Sequence, residues 1–413
     1  MLPIKQFYYF SKLFGLAPFP LDGIAAKKEV RFSAAADLLL TGLVMLLYAS
    51  NLVSILWNSE VSSSISRTAN WIQFVPNSFA YIFAMVFAYR KRAIICDILR
   101  MFELCDERLL SQFRLSTVDL KNKLRKTSLM ACLVTLISGG AACGFNFTIA
   151  VRWTHISTLF YWLAFCIPKF GLLLYTFQFA GSIMLLSDRT VLLLKGINNC
   201  LTEINHRELK GSSGSPSEST ADYRMVKPQT SDTLEGIHQM VEHLQQLANN
   251  INDCFGKQAI FSLLSAFICI TVQLYYLLNL IRFGFATPGA AFYCLASISL
   301  LLLHGIEFYA LVTNGDLARV HWRRLMNCLF VAKAKSDEEN FRAKMDDLIA
   351  FMGCNIPEFH AFGLFPIDLS VLTGIASSIA TYLIVLVQFK ASEEENGGLV
   401  EPEVNFEQDP RFA

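Results

Sequence analysis

Thr381 and Gln388 stand seven positions apart in a stretch, 381–389, whose other members are mostly aliphatic or β-branched. Helical spacing puts both on one face, with Val385 between them. An uncharged polar stripe on an apolar segment long enough to cross a membrane must face protein or water. The residues leave two readings open, a packing seam between helices or the lining of a pore. A second group with chemical capacity is charged. Lys169 and Glu307 fall inside apolar runs, and His304 stands one helical turn from Glu307. Charges at membrane depth are costly and need partners. Counted from the ends of their runs, Lys169 and Glu307 lie within about two turns of each other in depth. A Lys169–Glu307 pair is one expectation; the other has Lys169 extended along the bundle or held by backbone carbonyls. His304 and Glu307 offer a metal two ligands without a third, so no metal is assigned.

These residues depend on the elements that carry them. Seven apolar runs of about 20 residues or more, the length that crosses roughly 30 Å of hydrocarbon, occupy 34–57, 69–89, 127–149, 157–186, 255–280, 290–311 and 369–389. Of the 35 Lys and Arg residues, 28 lie in the amino-terminal arm and in the second, fourth and sixth connections. The positive-inside rule then places the amino terminus in the cytoplasm and the carboxyl terminus outside. The fold class expected is an all-α membrane protein with seven transmembrane helices. A composition 54% hydrophobic and 17% charged, with mean hydropathy +0.42, excludes a soluble protein of 413 residues. The net charge of +1 is a balance between segregated charges, and nucleic acid is not suggested as a partner.

No cleavage site follows the first run, which is expected to be retained as an anchor. The 11 cysteines, an odd number, show no pairing-like spacing on the outer side and read as free thiols. The sequon Asn146-Phe147-Thr148 lies too close to the bilayer to be modified and is taken as a chance match.

The connections carry structure of their own. Residues 1–33 form a cytoplasmic arm in which Ile4, Phe7, Tyr8, Leu13 and Phe14 are spaced as an interfacial helix beside Lys5 and Lys12. Spans one to four cover 34–186. The fourth connection, 187–254, has apolar stripes at both ends and a Ser- and Gly-rich centre, 211–233, expected to be disordered. Its second stripe, Ile237, Met240, Leu244, Leu247, Ile251 and Cys254, alternates by threes and fours as in a coiled coil. Cytoplasmic helical extensions that pack into a bundle are expected, within one subunit or between subunits; a local hairpin is the alternative. Spans five and six cover 255–311, and 312–368 holds further anchor helices. Span seven, 369–389, is followed by an acidic tail, 390–413, expected outside the cell.

Thr381-Tyr382, five apolar residues, then Gln388-Phe389 resembles the hallmark of the insect gustatory receptor family. Gly363, Phe365 and Asp368 fit that family's lead-in to its last helix, and Phe10-Ser11-Lys12 is similar to the opening of several members. The resemblance implies a ligand-gated cation channel of four subunits, homo- or hetero-tetrameric, opened by a small-molecule tastant. The last span of each subunit would line the pore. Phe389 would then be the gate and Gln388 a polar ring, while Thr381, Tyr382 and Val385 set the packing and pore-facing surface of the helix. The resemblance also places the ligand in the outer half of the other spans, where Trp71, Phe74, Asn77, Tyr161, Trp162, Gln273, Tyr276 and Tyr293 offer aromatic walls and amides suited to sugars and alkaloid-like compounds alike. Aromatic residues at such depths also serve as interface anchors. Pro76 and Pro168 fall inside spans and should kink them, which opens space. Leu383 departs from the Glu of the family's sweet-receptor branch, which argues against a sucrose or glucose ligand and leaves fructose-type and bitter-type ligands open. A G-protein-coupled receptor is the alternative, against which stand the orientation and the absence of Asp-Arg-Tyr and Asn-Pro-x-x-Tyr sequences. No enzyme activity, catalytic residue or cofactor is assigned: the chain has no Gly-rich phosphate loop and no duplicated half.

Overall fold

The structure, a computed structural model, describes residues 8–9, 11–12, 14–17, 42, 64–113, 137, 139–140, 156–211, 220–283, 290–335 and 338–396. The runs expected at 34–57 and 127–149 lie outside these residues but for 42, 137, 139 and 140. Helices α1 (Ser64–Arg90), α2 (Arg92–Gln112), α3 (Ile156–Gly211), α4 (Thr220–Phe283), α5 (Ala290–Lys335) and α6 (Glu339–Cys354) precede a short antiparallel pair, β1 (His360–Ala361) and β2 (Phe365–Pro366), and then α7 (Leu369–Asn396). Among the described residues, five helices are long and apolar enough to cross a membrane: α1, α3, α4, α5 and α7. Pro76 and Pro168 lie inside α1 and α3 as expected.

Length separates these helices into two kinds. With 56, 64 and 46 residues, α3, α4 and α5 measure about 84, 96 and 69 Å at 1.5 Å per residue. A bilayer core needs only about 30 Å. The remainder extends the same hydrophobic core along the helices. Its foundation is the α4 stripe, where Ile237, Met240, Leu244, Leu247, Ile251 and Cys254 are all 4% exposed or less. Trp322, Leu325 and Leu329 of α5 and Met345, Leu348 and Met352 of α6 close the same cluster. Full burial of such a side chain is worth about 1.5–3 kcal/mol, so six in one stripe fix the register of α4. The partners come from the same chain. Trp322 donates its indole N–H to the carbonyl of Met352, 3.1 Å away, which satisfies a buried polar tip.

Polar clamps reinforce that core. Residues Ile98, Phe102, Cys105 and Leu109 bury one face of α2. From α3, the buried Arg189 guanidinium donates two bonds to Asp106 of α2, at 3.1 and 2.9 Å, and a third to the Leu185 carbonyl. It also lies over the Phe102 ring, 4.6 Å from the centroid. The planar fork matches a carboxylate in a way an ammonium cannot. Near the amino terminus, the Tyr81 hydroxyl donates to the Phe14 carbonyl at 3.0 Å, and Tyr8 and Leu16 are buried.

One expectation is corrected. The centre of the fourth connection, 211–233, is not wholly disordered: its second half is backbone of α4 from Thr220 onward. Helix grows by one bond per residue from a formed nucleus, so the packed stripe that begins at Leu234 supports polar turns that composition alone would leave unstructured.

Candidate functional site

Helix α7 is the least covered of the membrane-length helices. Only 6% of its apolar window is buried by the rest of the chain, against 67% for α3. Its inner seam is Leu372, Ile375, Ile379 and Leu383, at spacings of three and four; Ile379 is buried and the other three half-buried. This seam meets α4 and α5. At about 100° per residue, Ser370, Ser377, Thr381 and Gln388 point within about 20° of the opposite direction from Ile379. All four are exposed. The polar stripe read from Thr381 and Gln388 is therefore longer than expected, and it lies off the seam by which α7 packs on its own chain. Val385 is exposed beside it. Tyr382 is 56% exposed, yet its ring meets Phe267 of α4 edge-on at 5.9 Å, so this residue faces a neighbour helix. The side chain of Phe389 lies outside the described residues.

The hydroxyls of this helix have a shared orientation. Thr381 donates to the Ser377 carbonyl at 3.0 Å, Ser378 to Gly374 at 2.9 Å and Thr373 to Ser370 at 2.7 Å. Each spends its one proton on its own helix, and the oxygen lone pairs are what remain to a neighbour.

The entry to α7 is pinned. Phe362 and Gly363 take positive φ, 55° and 73°, to reverse the chain between β1 and β2. The turn is tied to α4: the Asn252 side chain accepts from the His360 N–H at 2.8 Å, and the Gly256 carbonyl accepts from the Phe362 N–H at 2.9 Å. Gly256 and Gly315 allow this approach, because a Cβ on either would stand 2.5 or 2.6 Å from the carbonyl oxygen of His360 or Ile367. Asp368 then caps α7 through the Ser370 N–H at 3.0 Å and pairs with Arg319 of α5 at 3.5 Å. The Ser370 hydroxyl, ahead of its backbone N–H and of Arg319, holds the Asp368 carboxyl below its ordinary value. Gly363, Phe365 and Asp368, the lead-in residues, thus all belong to this strap.

A second polar assembly lies deep between α1, α3, α4 and α5. Asn77, Lys169, His304 and Cys269 each stand about 13 residues from the helix ends at Ser64, Ile156, Ala290 and Phe283, or about 20 Å along the axes. Asn77 accepts from Ser265 at 3.3 Å, and Gln273 donates to Gln73 at 3.1 Å. On the α3 and α5 side, Glu307 accepts from Thr176 at 2.7 Å and meets His304 Nδ1 at 3.1 Å. Lys169, His304 and Glu307 are 3%, 2% and 5% exposed. Lys169 and His304 both lie in electrostatic reach of Cys269. The direct Lys169–Glu307 pair does not form: both carboxylate oxygens bond to Thr176 and His304, and Lys169 Nζ has no hydrogen-bond partner among the described residues. A shorter, neutral hydroxyl and a ring one turn away reach the carboxylate first.

Of the residues expected to meet a ligand, the structure brings Asn77 and Gln273 to the α1–α4 seam and buries Phe74. Tyr276 is half-buried, beside Tyr275 at 6.1 Å. Trp71, Tyr161, Trp162 and Tyr293 lie on described helical backbone, and their side chains fall outside the described residues. Sequence reasoning passed over Gln73, Thr176, Ser265 and Cys269; the signal available was a polar or thiol side chain at each of these depths in an apolar run. Among the described residues no group of three or more His, Cys, Asp or Glu side chains is placed to hold a metal ion.

Comparison with known proteins places this geometry in context. A family model described as 7tm Chemosensory receptor matches residues 4–393. Over 160 residues the chain is 29% identical to Gustatory and pheromone receptor 32a of Drosophila melanogaster, a match covering 38% of this chain and 33% of that receptor, so about a third of the relative is spanned. In fold the chain is similar to the insect olfactory receptor OR5 from Machilis hrabei. The structure of that receptor in complex with eugenol superposes with a TM-score of 0.64 at 13% identity, covering 94% of this chain and 97% of that one. A second structure of that receptor gives 0.64 at 12% identity, with the same coverage.

Proposed function

Because the chain belongs to the 7tm Chemosensory receptor family, we propose that it is a gustatory receptor acting as a ligand-gated, non-selective cation channel in the plasma membrane of gustatory or other chemosensory neurons. The observation that carries this reading is the uncovered polar stripe of α7, opposite the seam by which that helix joins its own subunit. Four copies arranged with these faces inward would present rings of Ser377, Thr381 and Gln388 oxygens. The Thr381 hydroxyl, whose proton is already donated along the helix, offers lone pairs, which favour cations over anions. Phe389 closes the conduit near the outer mouth, and Val385 narrows it. Homo- and hetero-tetramers with related receptors both satisfy this arrangement.

Charge distribution supports an orientation with the α4–α5–α6 bundle in the cytoplasm and the tail after α7 outside. The tastant enters from the outer side into the helices that carry Phe74, Asn77, Gln273 and Tyr276, and also Trp71, Tyr161, Trp162 and Tyr293. The strap between α4, α5 and α7 gives ligand binding a short mechanical route to the pore helix.

The test is current recording from cells that express this chain alone, challenged with sugars and bitter plant compounds with and without G-protein blockade. Inward current that persists under blockade is the expected result. Current that vanishes under blockade, or an epitope tag after Arg411 that antibody reaches only in permeabilised cells, supports the alternative, a seven-helix receptor signalling through a G protein.

A further inference from the structure

Aromatic and basic side chains of α1 and α4 make one continuous surface at the Arg90 end of the α1 membrane window. Phe79, Phe83 and Phe87 recur every fourth residue and so share one face of α1. Their rings form a ladder, 4.7 Å between the centroids of Phe79 and Phe83 and 6.1 Å between those of Phe83 and Phe87. Phe261 of α4 stacks on Phe83 at 4.7 Å, with 22° between the ring planes, and meets Phe79 edge-on at 6.4 Å. Phe79 is 53% exposed and the other three are half-buried. The ladder joins two helices and faces outward, where a bundle in a bilayer meets hydrocarbon.

Each side of the ladder ends in a lysine. Lys91 stands one turn beyond Phe87, and its N–H still bonds the Phe87 carbonyl at 2.8 Å, which keeps it in phase with the rings. Lys257 stands one turn before Phe261 and is exposed. Neither side chain has an ion pair or hydrogen bond among the described residues. Arg90 and Arg92 flank Lys91, so the cluster stays net positive beside Asp253, one turn from Lys257. The bonds of Gln273 to Gln73, Ser265 to Asn77 and Gln258 to the Ala80 carbonyl make α1 and α4 antiparallel. On that register Lys257 is level with the turn between Phe83 and Phe87, and Lys91 lies about 9 Å further along the axis. Side chains lean toward the amino terminus of their own helix. In this antiparallel pair Lys91 and Lys257 therefore lean toward each other, and Lys91 lies in electrostatic reach of Cys254, next to the Lys257 turn.

An apolar face with unpaired cations at its foot selects by chemistry. A soluble anion would satisfy the lysines and leave the rings bare. A neutral lipid would cover the rings alone, and a choline headgroup would bring its own cation against the lysines. A phospholipid of net negative charge meets both demands.

We propose that the ladder and its two lysines are a binding site for an anionic phospholipid, its phosphate held between Lys91 and Lys257 and an acyl chain laid along Phe79, Phe83, Phe87 and Phe261. The site rests on the orientation proposed above only for its leaflet, the cytoplasmic one.

The experiment is native mass spectrometry of the full chain in detergent micelles, titrated with dioleoyl phosphatidylglycerol or dioleoyl phosphatidylcholine. The two lipids differ only in headgroup, and a micelle has no sides, so the result is independent of orientation. Each basic side chain near an anionic headgroup contributes about fivefold in affinity, so phosphatidylglycerol should bind the wild-type chain at least about tenfold more tightly. Lys91→Gln and Lys257→Gln should each weaken phosphatidylglycerol about fivefold, and the double variant should bring the two lipids within about twofold. Phe79→Ala should weaken both lipids alike and keep the preference. Arg323→Gln, an exposed position on α5, should change neither affinity. Unchanged size-exclusion profiles show that these surface variants fold. Equal affinities in the wild-type chain, absence of both adducts, as a second copy covering this face would cause, or a preference that survives the double substitution overturns the site. So does undiminished binding in Phe79→Ala, or an equal loss of preference in Arg323→Gln, which would mark diffuse surface charge.

Discussion

Residues 234–254 of α4 and the helix α7 draw on the same aliphatic side chains and meet opposite fates. In α4 the apolar stripe is closed by α5 and α6 of the same chain, with Leu244, Leu247 and Ile251 fully buried. In α7 the mean hydropathy of the apolar window is 2.0, at least as high as that of α4, yet the chain covers 6% of it. Apolar composition states that a side chain leaves water. It does not state what receives it. In α4 the receiver is this chain, and the outcome is stability. In α7 the receiver is not this chain, and the outcome is a face left open to lipid or a partner.

Matched truncations sharpen that contrast most strongly. Leu247→Ala removes a side chain that is 0% exposed and should cost about 2–5 kcal/mol. Leu386→Ala, 37% exposed on α7, should cost under about 1 kcal/mol within a single chain. Thermal unfolding of the purified chain, followed by size exclusion, separates the two; equal losses would break the comparison. Next in size is the junction between the regions. Gly256→Val drives a side chain against the His360 carbonyl, 2.5 Å from where its Cβ must sit, and should cost about 1–3 kcal/mol while reducing ligand-evoked current at matched surface expression.

A smaller effect is expected at Arg189. Arg189→Lys retains charge but loses the two-pronged bond to Asp106, a change of about 1–2 kcal/mol that should lower the thermal midpoint without altering ion selectivity. The smallest concerns Asp368. Its carboxyl lies below the ordinary Asp value, so its stabilising contribution is complete above about pH 3.9 and is lost only as pH falls through the lower folded value. Activation of the current should therefore be flat from about pH 5 to 8 as far as this cap is concerned. Asp368→Asn, which retains an acceptor for Ser370, should shift half-activation by less than about threefold.

Much of the fold was legible because it obeys simple periods. The α4 stripe was read from its alternation of threes and fours, and each of its six residues is buried. Five of the seven expected membrane runs are helices of the described structure. The limits of legibility are equally physical. Composition marked 211–233 as unstructured, but helix propagation from a packed segment crosses its second half. The polar stripe of α7 was half seen: Thr381 and Gln388 stood out against aliphatic neighbours, whereas Ser370 and Ser377 did not, since small hydroxylated residues are common in membrane helices for packing reasons. Sequence depth placed Lys169 near Glu307, but depth carries no azimuth. Which group meets the carboxylate depends on helix rotation, which brings Thr176 and His304 to it and leaves Lys169 at the Cys269 side.

The central claim is that the face of α7 opposite its packing seam lines an ion conduit. Single cysteines placed along the helix and exposed to a charged methanethiosulfonate reagent during ligand-evoked current test it directly. Ser377→Cys, Thr381→Cys and Gln388→Cys should be blocked as the reagent reacts, while Leu372→Cys, Ile375→Cys and Ile379→Cys on the seam, and the wild-type chain, should conduct unchanged. Block at the seam positions with the polar positions unaffected would contradict the account.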